Sequence, residues 1–185
     1  MVDEKRNFIF VHIIKTAGTS IETALKLKRH DHRTAKKYIT QNGKDIFNKM
    51  NSFAVIRNPW DKMVSQYLYL RNKTHPRFYI QAQSFEEFLI SASDGSRVTG
   101  HPFQHLPYIT NYQNDVVVKD FIRFENLQED FDRVCEKLNI EAVKLPHKNR
   151  TQRANYKFYY NNYTKDLVAD MFKRDLDLFD YKFNN

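Results

Sequence analysis

Lys15, Thr16, Gly18, Thr19 and Ser20 fall within six residues of one another, and such a cluster of cation, hydroxyls and glycine suits an anion. The run Lys15-Thr16-Ala17-Gly18-Thr19-Ser20 follows the apolar stretch Phe8 to Ile14, which reads as a buried strand. A helical pattern begins with Ile21 and Glu22, and the helix is expected over Thr19 to Leu27. A strand feeding a helix through such a turn aims main-chain N–H groups, a positive helix end and an ammonium at one point. That geometry binds phosphate. The chain has only 4 glycines, and Gly18 is placed here. The turn is not a Walker A loop, because Lys15 precedes the glycine and no Gly occurs earlier in the chain. Fewer main-chain donors can then wrap a triphosphate, so ATP hydrolysis is the weaker reading. The plainer alternative is an ordinary βα turn capped by Thr19 or Ser20.

A second constellation lies further on. Phe53-Ala54-Val55-Ile56 is another strand candidate, running into Arg57-Asn58-Pro59-Trp60-Asp61. Asn58 suits a helix N-cap, Pro59 the first helical position and Asp61 the first turn. Trp60, Met63, Val64, Tyr67 and Leu70 continue as an apolar stripe at helical spacing, which assigns Trp60 to the core. Ser65 falls roughly 150° from that stripe and is not needed for the core. Arg57 at the strand end and Ser65 on the helix can then address one ligand, a planar fork of donors beside a hydroxyl. The plainer alternative pairs a surface Arg57 with Asp61 and leaves Ser65 solvated. Two phosphate-type sites at successive strand ends imply a ligand with two separated phosphates.

On these residues the sequence resembles the sulfotransferases that use 3′-phosphoadenosine 5′-phosphosulfate. Lys15 to Ser20 is similar to their 5′-phosphosulfate loop, and Arg57-Asn58-Pro59-Trp60-Asp61 with Ser65 to their 3′-phosphate motif. The likeness is strongest to the carbohydrate branch that includes heparan sulfate 2-O-sulfotransferase and small bacterial members. It extends through Arg123-Phe124-Glu125-Asn126-Leu127, Leu145-Pro146-His147-Lys148-Asn149 and Asp177-Leu178-Phe179-Asp180-Tyr181. One departure is visible: Ile14 stands where the family usually has Pro before the lysine.

The resemblance implies roles. Lys15 stabilises charge developing on the bridging oxygen and leaving phosphate. The main-chain N–H groups of Ala17 to Ser20, with the Thr19 and Ser20 hydroxyls, hold the 5′-phosphate, and Thr16 belongs to the same loop. Arg57 and Ser65 take the 3′-phosphate. Arg150, Thr151 and Arg153 resemble the late loop that closes over the 3′-phosphate and adenine. Sulfuryl transfer also needs a base for the acceptor hydroxyl. His30-Asp31-His32 follows the first helix, and the 2-O-sulfotransferase branch carries a His-x-His there; the likeness assigns the base to His32 and acceptor contact to His30. Glu22 or another His is the candidate base if His32 is dispensable. No metal is expected, and the acceptor hydroxyl is expected on a sugar. A Mg²⁺-dependent nucleotide kinase or phosphohydrolase is the alternative.

The elements that must position these residues alternate between strand and helix, which argues for an α/β fold with a mainly parallel sheet flanked by helices. The resemblance implies the P-loop-like sulfotransferase version of it. At 185 residues the chain is expected to form a single domain, residues 1–185. Further strands are expected at Val116 to Val118 and Phe121 to Phe124, and a capping box at Ser84 and Glu87 opens a helix to about Ala92. Other helices are expected from Asn126 to Leu138 and from Thr164 to Leu176. His30 to Asn51 shows no clear period, and Asp94 to Gln113 reads as an irregular insertion suited to shaping an acceptor pocket.

Thirty Lys and Arg against 22 Asp and Glu, a formal charge of +8, favour anionic partners. A nucleic-acid-binding module would explain the charge and the 11 Tyr and 15 Phe, but the aromatics follow core periodicity and no nucleic-acid partner is expected. The lone Cys135 permits no internal disulfide and fits a reducing compartment. No long apolar segment or signal-like start is present, so the sequence predicts no membrane span and a cytoplasmic setting.

Overall fold

Four strands form the sheet, and the second and third carry continuous apolar runs. The four are β1 (Val2–Asp3), β2 (Phe8–Val11), β3 (Asn51–Ile56) and β4 (Asp120–Arg123). In this computed structural model, residues 1–27, 31–71, 84–94, 100–146 and 153–184 are described. The sheet order is β1-β2-β3-β4, with β2, β3 and β4 parallel and β1 antiparallel at the edge. Phe8 to Val11 are fully buried, as a parallel strand covered on both faces requires. The mainly parallel α/β arrangement expected from the sequence is therefore present.

The described residues divide into two compact units, residues 1–57 with 105–149 and residues 58–104 with 150–185. The first holds the sheet together with α1 (Gly18–Ala24), α2 (Ala35–Asn42), α3 (Lys44–Lys49), α6 (Leu106–Ile109) and α7 (Leu127–Lys137). Its core joins Phe8, Phe10, Phe53 and Val55 of the sheet to Ile21 of α1 and Phe131, Val134 and Cys135 of α7. The Phe10 and Phe53 rings stack at 5.0 Å across the parallel pair β2–β3. Burial pushes the Cys135 thiol up to about 11.

The second unit contains α4 (Pro59–Leu70), α5 (Phe85–Ser93), α8 (Asn162–Met171) and α9 (Lys173–Phe179). Helices α4 and α5 start where the sequence says they should. Asn58 accepts from the N–H groups of Trp60 and Asp61, Pro59 occupies the first turn, and Ser84 and Glu87 close a capping box. The aromatic residues pack against each other: Phe85 meets Tyr67 at 5.3 Å and Tyr160 at 5.0 Å, and Trp60 meets Phe183 at 5.6 Å.

Several expected elements differ. Beta-strand pairing ends at Val11 rather than Ile14, because β3 meets β2 only through the register Phe8–Asn51 to Val11–Ala54. Residues 116–118 form no strand of the sheet: Val116 makes an isolated bridge to Thr110. The stretch without a period contains α2 and α3, stabilised by local signals instead of an apolar stripe. Thr34 caps α2 by accepting from Lys37, and Gly43, at φ 87°, separates the two helices. The expected irregular insertion contains α6, started by Pro107. The expected final helix is two, broken at Phe172, whose φ of −111° and ψ of 13° leave the helical region.

Candidate active site

Beyond Val11 the chain leaves the sheet at His12 and enters the turn through Ile13 and Ile14. Lys15 and Ala17 both adopt left-handed backbone conformations, with φ of 60° and 68°. Each costs roughly 1–2 kcal/mol for a residue with a Cβ, so the surroundings must impose the shape. Three bonds do so. The buried Thr16 hydroxyl donates to the Ile13 carbonyl at 2.9 Å, the Ser20 N–H donates to the Ala17 carbonyl at 2.9 Å, and the Arg57 guanidinium donates to the Lys15 carbonyl at 2.9 Å.

Two consequences for the sequence-derived loop follow. Thr16 turns its hydroxyl back onto the chain, so its part is to hold the turn. The Ser20 N–H is engaged in starting α1, so the main-chain donors offered to an anion centre on the residues before it. Gly18 begins α1, Thr19 is half-buried and Ser20 is buried.

Arg57 reaches the same turn from the end of β3. Its guanidinium lies 3.8 Å over the Phe124 ring and its main-chain N–H donates to Nε2 of the fully buried His105 at 3.2 Å. Arg57 is itself 7% exposed. It is therefore a fixed cation beside a second one, and burial together with that guanidinium brings the Lys15 amine down to about 8. Two cations side by side in a sheltered turn fit an incoming phosphate dianion.

His32 also arrives here. Its Nδ1 lies 3.2 Å from the His12 carbonyl, and its ring meets the His12 ring edge-on with centroids 4.3 Å apart. The neighbouring Asp31 anchors the segment by accepting from the Tyr38 hydroxyl at 3.0 Å and pairing with Arg33 at 3.2 Å. Burial alone would raise the Asp31 carboxyl. The Arg33 N–H, the Met1 amino group, the Tyr38 hydroxyl and the Arg33 guanidinium more than offset it and hold the carboxyl below its ordinary value.

His12 and Glu22 complete the cluster. The imidazole Nδ1 stands 2.5 Å from the Glu22 carboxylate, and both residues are buried. Sequence reasoning named Glu22 only as a fallback base and gave His12 and His105 no part. The available signal was a histidine at the end of an otherwise apolar strand.

The remaining residues belong to the second unit or lie outside the described chain. His30 and Arg150 are outside it, as are Thr151 and His147 to Asn149. Ser65 is buried on α4 at 8% exposure; that helix is covered on nearly all sides, so distance from the apolar stripe did not leave Ser65 solvated. Arg153 pairs with Asp61 inside the second unit. Trp60 is buried and donates its indole N–H to the Lys165 carbonyl at 3.0 Å. No cluster of three or more His, Cys, Asp or Glu suited to a metal occurs among the described residues, and no described helix is long and apolar enough to cross a membrane.

The profile of the Sulfotransferase family matches residues 1–182. The chain belongs to the sulfotransferase family. An uncharacterized protein of Archaeoglobus fulgidus is 34% identical over 116 residues, covering 62% of this chain and 89% of the relative. No solved structure matches. In this sulfotransferase the matched family spans both the turn carrying Lys15 and the second motif at Arg57.

Proposed function

We propose that this sulfotransferase moves the sulfuryl group of 3′-phosphoadenosine 5′-phosphosulfate to a hydroxyl on a carbohydrate, with residues 1–185 acting as one catalytic domain. The observation that carries the reading is that Arg57 meets the strained turn at the Lys15 carbonyl while His32 meets His12 at the strand end that leads into it. Lys15 and the N–H groups of the turn receive the 5′-phosphate end of the donor. Arg57 serves its 3′-phosphate, and by the family likeness alone Ser65, Arg150 and Arg153 are assigned with it. The lone buried thiol suits a reducing, cytoplasmic setting.

In the transfer step the acceptor oxygen forms a bond to sulfur while the bond from sulfur to the phosphate oxygen breaks. The hydroxyl proton passes to His32, and the electron pair of the broken bond leaves with the phosphate, where the Lys15 ammonium offsets it. Nδ1–H of His32 donating to the His12 carbonyl selects the tautomer whose Nε2 can accept that proton. His30 is assigned to the acceptor.

Calorimetric titration of 3′,5′-adenosine bisphosphate without Mg²⁺, with ADP as control, tests the donor assignment. Binding of the bisphosphate alone, lost in Arg57→Ala, is expected; equal binding of ADP would refute it. His32→Ala is expected to lower turnover by about 10²–10⁴-fold and keep bisphosphate binding, and a fully active variant would remove His32 from the role.

A further inference from the structure

Glu22 sits on α1 with only 7% of its surface exposed, and a buried carboxylate is costly unless paired. Its partner is His12 Nδ1 at 2.5 Å, short enough to be a charge-assisted bond. His12 is locked on its other sides. Its ring stacks on Phe10 at 5.6 Å and 14°, and a methyl group added to Gly18 would overlap Cδ2 and Nε2 and stand 2.7 Å from Cε1. From this fixed position His12 presents its carbonyl to His32 Nδ1 and its ring to the His32 ring.

We propose that Glu22 and His12 are positioning residues: Glu22 clamps His12, and His12 in turn holds His32 in one orientation and one tautomer. The chain of contacts is carboxylate to Nδ1–H of His12, then His12 carbonyl to Nδ1–H of His32. Neither positioning residue needs to touch the donor or the acceptor. The inference rests on His32 being the base, but its first prediction concerns the resting protein and is independent of the reaction.

Nitrogen-15 NMR of the histidine side chains, in protein saturated with 3′,5′-adenosine bisphosphate, tests it. His32 is identified by the signal lost in His32→Gln. A single Nδ1–H tautomer is expected in the native protein and a mixture of both tautomers in Glu22→Gln, with bisphosphate affinity within about twofold. An unchanged His32 signal in a folded Glu22→Gln protein would overturn the proposal. Should Glu22→Gln fail to fold, Glu22→Asp keeps the charge but withdraws it by one methylene, and the same mixture is expected.

Turnover separates the two readings. With an acceptor found by screening sugars against 3′-phosphoadenosine 5′-phosphosulfate, Glu22→Gln is expected to lower kcat at least about tenfold and leave the donor KM within about twofold; misplacing the tautomer of a catalytic histidine can cost up to ~10⁴. In a His32→Ala background the same substitution should cost nothing further. A full additional loss there would refute action through His32. A fully active His32→Ala protein would instead refute the base assignment while the NMR result stood.

Discussion

Gly18→Ala is the sharpest test of how the turn is packed, because simple helix energetics and the packing predict opposite signs. Gly18 begins α1, and replacing a helical glycine by alanine ordinarily stabilises by about 0.5–1 kcal/mol. The added methyl, however, would overlap two atoms of the His12 ring. His12 is 3% exposed and cannot retreat without leaving Phe10 and Glu22. Overpacking of this kind costs about 1–3 kcal/mol, and breaking the buried bond to Glu22 adds about 1–3 kcal/mol. The net after the helix gain is a loss on the order of 1–5 kcal/mol. For a chain of this length that corresponds to a fall in melting temperature on the order of 10 °C. Thermal melts followed by circular dichroism, with urea titration as a check, measure it. The loss should shrink or reverse in a His12→Ala background, where the ring is gone. A Gly18→Ala protein that melts at or above the native temperature would refute the packing argument.

Lys15→Ala should lower turnover by about 10²–10³-fold while the melting temperature does not fall; rates near native would refute the electrostatic role. Lys15 releases its proton at about 8 when folded and near 10.5 when unfolded, so unfolding takes up a proton between these values. Stability from this group therefore rises with pH across that window, and bisphosphate affinity in the free enzyme falls above about pH 8, by up to tenfold per unit; calorimetry from pH 7 to 9 checks this, and Lys15→Met should flatten the profile. Phe124→Leu removes the ring beneath Arg57 and should weaken bisphosphate binding by an amount equivalent to about 0.5–2 kcal/mol, read by the same titration. The Cys135 thiol, pushed up to about 11 and buried, should react with a thiol reagent such as Ellman's only after denaturation.

The parts of the chain with strong local signals were readable from sequence. Strands β2 and β3 stand out because buried parallel strands carry long apolar runs, and the capping box at Ser84 and the Asn58-Pro59 start are chemical signals needing no tertiary information. α2 was not readable because its buried face consists of only Ala35 and Tyr38. The break at Phe172 was hidden because the apolar spacing continues through it. In the site, the turn and its lysine were visible as a contiguous run. His12 and His105 were not, and Glu22 stood only as a fallback base, since their parts depend on contacts across 10 residues between His12 and Glu22 and 48 between Arg57 and His105. The inward turn of the Thr16 hydroxyl likewise depends on left-handed backbone that no glycine announced.

The order of the sheet also bears on how the protein is made. Strand β3 gains its partner β4 only after a long excursion, for the chain leaves the first unit after Arg57 and returns at His105. The Lys119 N–H that begins this pairing donates to Ser52 across 67 residues. At a synthesis rate of about 5–20 residues per second, the apolar edge of β3 waits several seconds on the ribosome for its neighbour. During that interval the nascent chain presents an unpaired, hydrophobic strand edge, the feature most prone to pairing with another chain. Overproduction should therefore be limited by aggregation of incomplete chains, and chaperones that cover the nascent chain should raise the soluble yield more than stabilising the finished fold does.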